Sequence, residues 1–418
     1  RQQVFHAPQR LDQRRSETLI STRLREGQKP SRVVSFKTMD FLQKTWEEIG
    51  ISCGLSSYIS QLGPSEYHVQ LHVSPQNEGF AQQYARLQRG FERVCAELLP
   101  ADARPVLKRY FVSDATNQAP LMESETACTV SVIQQPPLDG SKISLWVYFL
   151  TGADVQCADG VTTVEHGGYR HFWHMGMESP AGDSAAQTEA LLTRYEDELT
   201  AQGATIADDC VRTWFFVRDV DTNYAGLVKA RLDNFLRVGL TPDTHYISST
   251  GIGGLPADTR SLVQLGGYAV KGLEPGQQRY LYALTHLNPT IEYGVTFERG
   301  TVVEYGDRAQ AFISGTASID NKGQVVHVGD IVRQTHRMWE NVDALLAEAE
   351  MNLAEHAAQI TVYLRDTADY VTVRDLFAAR FPHVPTVITL APVCRPEWLI
   401  EMECIAVADR QHETYRPF

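Results

Sequence analysis

The sequence has no run of about eighteen apolar residues, so it offers no candidate for a membrane-spanning helix. It has no Cys-x-x-Cys pair. Its seven cysteines (Cys53, Cys95, Cys128, Cys157, Cys210, Cys394 and Cys404) are odd in number and scattered. That pattern opposes a disulfide framework and a zinc ribbon. The first residues, Arg1 to His6, hold no apolar stretch that could form a signal-peptide core. A reducing, cytoplasmic setting is therefore expected. Positive charge is also scarce, with 38 Lys and Arg against 51 Asp and Glu, a formal net charge of -13. This balance opposes nonspecific nucleic-acid binding, which depends on clustered Lys and Arg. The one basic stretch runs from Gln9 to Arg25 and carries Arg10, Arg14, Arg15, Arg23 and Arg25. Like most charge runs it is expected to be a solvated arm or helix face rather than an RNA contact. His166, His171 and His174 cluster loosely, but Tyr169, Phe172 and Trp173 among them suggest a strand, and no acidic partner stands at ligand spacing. Neither a metal nor a cofactor is expected.

What the sequence does contain is a repeat. With 418 residues, 43% of them hydrophobic, the chain has room for ~2–4 globular domains. Three segments show apolar residues at three- and four-residue spacing: Ala81 to Leu99, Ala185 to Leu199, and Ile331 to Leu346. In the third, Met338, Val342, Leu345 and Leu346 form the single buried stripe of a surface helix. A segment rich in β-branched and aromatic residues follows each one: Leu107 to Asp114, Arg212 to Asp219, and Ile360 to Asp366. Gln82 and Asp114, Gln187 and Asp219, and Gln334 and Asp366 each stand 32 positions apart, with Phe111, Phe216 or Tyr363 three residues before the Asp. Each unit closes with another strand, Ile143 to Val147, Val263 to Val270, or Ile400 to Val407. Aligned on their apolar pattern, these strands place Ser144, Gln264 and Glu401 at one shared position. Glycine-rich and polar connections mark the boundaries. The expected organisation is an N-terminal arm plus first unit over 1–155, a second unit over 156–275 and a third over 276–418. Phe36 to Ile51, ahead of the first repeat, is expected to form a short helix.

The third unit resembles the YjgF/Rid superfamily. The resemblance spans Tyr293 to Ala408 and rests on Ala311-Phe312-Ile313-Ser314-Gly315-Thr316-Ala317-Ser318-Ile319, on the helix opening at Gln334-Thr335, on Val362-Tyr363-Leu364-Arg365-Asp366 and on Leu399-Ile400-Glu401-Met402-Glu403. It implies an α+β fold of three tandem YjgF/chorismate-mutase-like units. Members of this family form trimers with ligand clefts between neighbours, so three units on one chain are expected to close into an intrachain pseudo-trimer. The second and third units further resemble the chorismatases, which split chorismate into pyruvate and a ring product. That likeness rests on Arg212-Thr213-Trp214, Thr250-Gly251-Ile252-Gly253, His327-Val328-Gly329-Asp330 and Cys394-Arg395-Pro396-Glu397-Trp398. The first unit stands outside this second pattern. The imine- and enamine-hydrolysing Rid proteins carry an Arg just after a Pro before the last strand. Here Pro385 is followed by Thr386-Val387, and Thr250-Gly251 and Thr126-Ala127 hold the equivalent places.

By alternation along the last strand, Glu401 and Glu403 share one face. Glu401 matches the catalytic acid of the chorismatase-like branch, and burial in a cleft would suit it to general-acid work. The alternative for both carboxylates is a solvated or salt-bridged strand residue. Arg395 offers a planar fork to a substrate carboxylate, or pairs with Glu397 or Glu401. Cys394 could shape the pocket; no His lies near it in sequence to make it a nucleophile. Arg212, Arg231 and Arg299 are further anion-binding candidates, although strand arginines commonly make structural pairs. Tyr293 is either a cleft-lining residue or a core aromatic. Gly251 lies in a glycine-rich turn whose backbone N–H groups could face an anion. The expected function is that of a small-molecule enzyme acting on a carboxylated metabolite, by chorismatase-like hydrolysis of an enolpyruvyl ether. The alternatives are a divergent imine/enamine hydrolase and a noncatalytic binding or scaffold protein.

Overall fold

The computed structural model describes residues 39–418. The basic stretch from Gln9 to Arg25 lies outside the described residues. The first unit contains β1 (Asp40–Trp46), β2 (Ile51–Tyr58), β3 (Glu66–Val73), α1 (Phe80–Glu97), β4 (Arg104–Val112), the one-turn α2 (Ala115–Gln118), β5 (Thr129–Gln134) and β6 (Ile143–Leu150). The second contains β7 (Asp154–Ala158), β8 (Val161–His166), β9 (Tyr169–Glu178), α3 (Ser184–Ala201), α4 (Ile206–Asp209), β10 (Cys210–Val217), α5 (Val220–Val238), β11 (Ser248–Gly253) and β12 (Val263–Lys271). The third contains β13 (Gln278–Leu281), β14 (Gly300–Glu304), β15 (Arg308–Ala317), α6 (Ile331–Ala347), α7 (Leu353–His356), β16 (Ala357–Leu364), α8 (Tyr370–Arg380), β17 (Thr386–Leu390) and β18 (Ile400–Asp409). Among the described residues no helix is long and apolar enough to cross a membrane.

The three sheets share one topology. Their strand orders are β1-β2-β3-β6-β4-β5, β7-β8-β9-β12-β10-β11 and β13-β14-β15-β18-β16-β17. All neighbours are antiparallel except β4–β5, β10–β11 and β16–β17, which are parallel and therefore need a crossover connection. The repeat expected from sequence appears directly in the strand register. Phe111 faces Ser144, Phe216 faces Gln264 and Tyr363 faces Glu401 across the same strand pair of each unit.

The repeated polar residues hold the backbone. Gln187 accepts from Leu262 N, and Gln334 accepts from Leu399 N; each thereby ties a helix to the residue just before the closing strand. In the first unit this clamp is made by Gln83, which accepts from Lys142 N, and not by Gln82. The helix-to-strand path there is one residue shorter. Asp114 and Asp366 cap the turns that follow their strands by accepting from Asn117 N and Ala368 N.

Each sheet has one face under its own long helix and turns the other toward its neighbours, as an open sheet must. One hydrophobic core includes Trp146 of the first unit, Trp214 of the second and Phe312 of the third. Ser131 Oγ donates to Gln264 Oε1 (2.6 Å), Ser249 N to Ser314 Oγ (2.9 Å) and Ser56 Oγ to Ala358 O (2.6 Å). These bonds run from first unit to second, second to third and third to first, so the ring is closed.

Two local expectations are corrected. The described part of Phe36 to Ile51 is not a helix: Asp40–Trp46 pairs along its whole length with Ile51–Ser57, and a single 3-10 turn (Glu47–Ile49) joins the two strands. Thr250 and Gly251 lie in strand β11, not in a turn, because the parallel pairing to β10 runs from Ser248 to Gly253. The crossover helices α5 and α8 were not marked by periodicity. Arg231 and Asn234 interrupt the buried face of α5, and only Val373 and Phe377 are buried in α8.

Candidate functional site

A cavity of about 480 Å³ opens between the second and third units. Tyr224 and Arg231 enter it from α5, Gly251 from β11, Gly315 from β15 and Glu401 from β18. Tyr293 and Arg299 precede β14, and Cys394, Arg395 and Trp398 precede β18. Seven of the nine residues weighed from sequence thus meet in one cavity, all but Arg212 and Glu403.

Glu401 is 5% exposed, and among the described residues its carboxyl makes no hydrogen bond to protein. A Cβ on Gly315 would lie 2.2 Å from its Oε1, so glycine at the β15 bulge leaves the space the carboxyl occupies. Burial, reinforced by the nearby Glu403 charge and opposed by Arg299 and Arg212, pushes the Glu401 carboxyl up to about 8. It is therefore mostly a neutral acid near neutrality.

Three guanidiniums surround it without a carboxylate partner among the described residues. Arg231 is 1% exposed; its Nη1 lies 3.5 Å from Ser249 Oγ, while Nε and Nη2 make no well-formed hydrogen bond among the described residues, although Tyr224 lies close enough to favour the charge. Buried N–H groups rarely stay unpaired unless something outside the protein satisfies them. Arg299 is anchored to Asn288 O (3.1 Å from Nη2). Arg395 reaches Gly323 O (3.2 Å) and pairs with neither Glu397 nor Glu401. Both arginines pack on the Tyr293 ring, with Cζ at 5.3 Å and 4.8 Å from its centroid, so Tyr293 is a cleft residue.

Arg212 is the exception: it does not line the cavity. Its Nη2 donates to Glu403 Oε2 (2.8 Å) and to Thr250 Oγ1 (2.5 Å). Glu403 Oε1 also accepts from Arg109 Nη1 (3.1 Å) and Trp214 Nε1 (3.0 Å), and Oε2 from Thr250 Oγ1 (2.5 Å). Arg212 is consumed by this structural pair, as strand arginines often are, and Glu403 is the salt-bridged carboxylate of the two.

Cys394 lines the cavity as a thiol rather than a thiolate. Burial pushes its thiol up to about 12, leaving almost no thiolate. Tyr224 was missed. It sits seven residues before Arg231 on α5, two helical turns along the same face, and that spacing is the signal that could have found it. Gly251 matters for its missing side chain: a Cβ there would lie 2.8 Å from Tyr224 Cε2. Gly251→Ala is expected to push the ring out of place at a cost of about 1–3 kcal/mol, the usual range for overpacking. The checks are a lower Tm and weaker ligand binding.

At the equivalent positions in the other units the side chains are held by protein, although a second cavity of about 400 Å³ opens between α8 and β17 of the third unit and His72 of the first. Ser144 Oγ accepts from Gln70 Nε2 (2.7 Å) and donates to Leu71 O (2.7 Å). Gln264 bonds Ser131, Val132 and Glu178.

Residues 301–408 match the family model described as Endoribonuclease L-PSP. A RutC family protein of Pyrococcus abyssi is 34% identical over 97 residues, which are 23% of this chain and 76% of that protein. The 3-aminoacrylate deaminase RutC of Acinetobacter baylyi is 31% identical over 97 residues, with the same 23% and 76% coverage. Among solved structures, a chorismatase superposes with a TM-score of 0.59 at 18% identity, covering 84% of this chain and 100% of that one. At that identity the likeness is one of fold. Its coverage exceeds residues 156–418, so the fold shared with the chorismatase extends into the first unit, beyond the second and third units that carry the sequence motifs.

Proposed function

The chain belongs to the YjgF/Rid superfamily, and from that premise we propose that the cavity between its second and third units is the active site of an acid-catalysed hydrolase of a carboxylated enolpyruvyl ether, with chorismate as the leading substrate. The observation that carries this reading is a neutral buried carboxylic acid, Glu401, facing the same cavity as Arg231, whose Nε and Nη2 make no well-formed hydrogen bond among the described residues. Such a pair suits a substrate that brings its own carboxylate and accepts a proton at carbon.

In the proposed reaction Glu401 gives its proton to the methylene carbon of the enolpyruvyl group. The C=C electron pair forms the new C–H bond, and positive charge develops at the ether carbon. Water adds there and loses a proton to the Glu401 carboxylate. The resulting hemiketal gives up its hydroxyl proton as the C=O of pyruvate forms and its bond to the ring oxygen breaks; the ring oxygen takes up a proton, so that pyruvate and the ring alcohol leave with no net change in protons. Arg231, Arg299 and Arg395 hold carboxylates during these steps. Glu401 serves first as acid and then as base. The test is a coupled assay of pyruvate release from chorismate by the full chain.

Imine or enamine hydrolysis, the alternative in line with the deaminase relative, has less support. The Arg that follows a Pro in those proteins is replaced here by Thr250-Gly251 at this cleft. One ligand per chain is expected in a saturating titration, since Ser144 and Gln264 already spend their hydrogen bonds on protein; three equivalent sites would contradict the reading.

Arg231→Met should move stability and function in opposite directions. Removing a buried cation with two unpaired donors should raise Tm. Losing a charge-assisted anchor of about 1.5–3 kcal/mol should raise KM or the ligand Kd by about 10–100-fold. Thermal melts and ligand titration of the same protein check both signs.

A further inference from the structure

The first unit lines none of the cavity, yet Arg109 on β4 reaches within 3.1 Å of Glu403 Oε1. Glu403 stands two residues from Glu401 on the same face of β18, which places the two Cα atoms about 7 Å apart. We propose that Glu403, caged by Arg109 of the first unit and by Arg212, Trp214 and Thr250 of the second, is a positioning residue whose fixed negative charge keeps the proton on Glu401.

Every acceptor direction of Glu403 is aimed at the cage. It takes four hydrogen bonds, two of them from guanidiniums. The Arg109 guanidinium is itself enclosed by the rings of Trp146, Trp214 and Phe216, with Cζ at 5.1, 5.0 and 5.0 Å from their centroids. Neither charge can turn to solvent. Thr250 Oγ1 links the cage to the acid: it donates to Glu403 Oε2 and accepts from Gly315 N (2.9 Å), the residue against which the Glu401 carboxyl rests.

The charge balance fixes the direction of each effect. Arg109 and Arg212 bring two positive charges and Glu403 one negative. Without Glu403, Glu401 would face both cations uncompensated and would ionise more readily; without Arg109, it would face a more negative cage and hold its proton more firmly. The other groups around Glu401 leave this sign unchanged. They are Arg299 and Tyr293 before β14, Tyr224 and Arg231 on α5, Cys394 and Arg395 before β18, and Tyr363 opposite on β16. Arg299 opposes protonation, and the Cys394 thiol and the Tyr224, Tyr293 and Tyr363 phenols stay neutral because burial raises all four.

This inference rests on the acid reading of Glu401, but its test needs no substrate. The infrared C=O stretch of a neutral carboxylic acid is followed against pH in the full chain, and the Glu401 contribution is identified as the band missing from Glu401→Gln. Glu403→Gln should move that titration down by about one pH unit or more, and Arg109→Met should move it up. A merely structural cage would not give opposite shifts. Shifts in the same direction, no shift in either variant, or no Glu401-dependent band near neutrality in the parent protein would overturn the proposal. If Glu403→Gln does not fold, Arg109→Met decides alone: an upward move supports the proposal, and no move or a downward one overturns it. Failure to release pyruvate from chorismate, with the two opposite shifts intact, would remove the proposed function and leave the charge cage standing.

Discussion

Replacing Glu401 with glutamine is expected to leave a folded protein whose release of pyruvate from chorismate falls by ~10²–10⁴-fold, the usual worth of a positioned general acid. Glutamine is nearly isosteric, and in this site it removes no hydrogen bond and no ion pair, because the Glu401 carboxyl makes none among the described residues. Binding should change little, since Arg231, Arg299 and Arg395 are untouched. The loss should therefore fall on kcat rather than KM. Near-normal turnover in Glu401→Gln would remove the acid role and favour a noncatalytic binding protein.

The pH profile follows from the same carboxyl. With Glu401 near 8 in the folded chain, the acid form dominates below that value, so kcat/KM should be level through neutrality and fall as pH rises through about 8. Stability moves the same way for this group. Below its unfolded value near 4.5 both states are protonated. Above it the unfolded chain releases a proton that the folded chain keeps, so stability falls with rising pH until about 8. Glu403 has the opposite sign. Burial works against its ionisation, but Arg212, Arg109 and the Thr250 hydroxyl outweigh burial and hold it below the usual carboxylate range. Its contribution is present above the unfolded value and is lost as pH falls through the folded one.

The fold was legible because most of the repeated residues perform backbone duties. Gln187 and Gln334 clamp and Asp114 and Asp366 cap at matching places, whereas Gln83 takes the place of Gln82 and Asp219 makes no side-chain cap; the strand registers reproduce the alignment of Phe111, Phe216 and Tyr363 with Ser144, Gln264 and Glu401. The site was legible in part. Alternation put Glu401 and Glu403 on one face, but it could not say that one faces a cavity and the other a cage. That difference depends on Arg109 and Arg212, which lie 294 and 191 residues away from Glu403 in the chain. Arg212 looked like Arg299 in sequence, and only the closure of the ring tells them apart. Tyr224 was hidden because α5 carries polar residues on its buried side, which blurs the apolar stripe that reveals a helix.

Replacing Glu403 with leucine should be the most damaging single change for stability. Leucine resembles glutamate in volume and suits a strand core, so packing alone gives little reason for loss. The charges do. Arg109 is 0% exposed and Arg212 2%, and both would be left in the centre of the molecule without the carboxylate they share. Breaking a buried pair from one side typically costs about 3–5 kcal/mol, because the orphaned cation cannot return to water. Here two cations are orphaned, from different units, so the damage should appear as weakened closure of the ring as well as a lower Tm. Denaturant unfolding of Glu403→Leu should give a reduced midpoint, and hydrogen exchange should show lost protection on β4, β10 and β18 together. Adding Arg109→Met to Glu403→Leu removes one of the orphaned charges and should recover part of the loss, a coupling that a double-mutant cycle measures directly. If Glu403→Leu unfolds at the same denaturant concentration as the parent, the cage contributes nothing net to the ring, and the three units are held together by their shared apolar core.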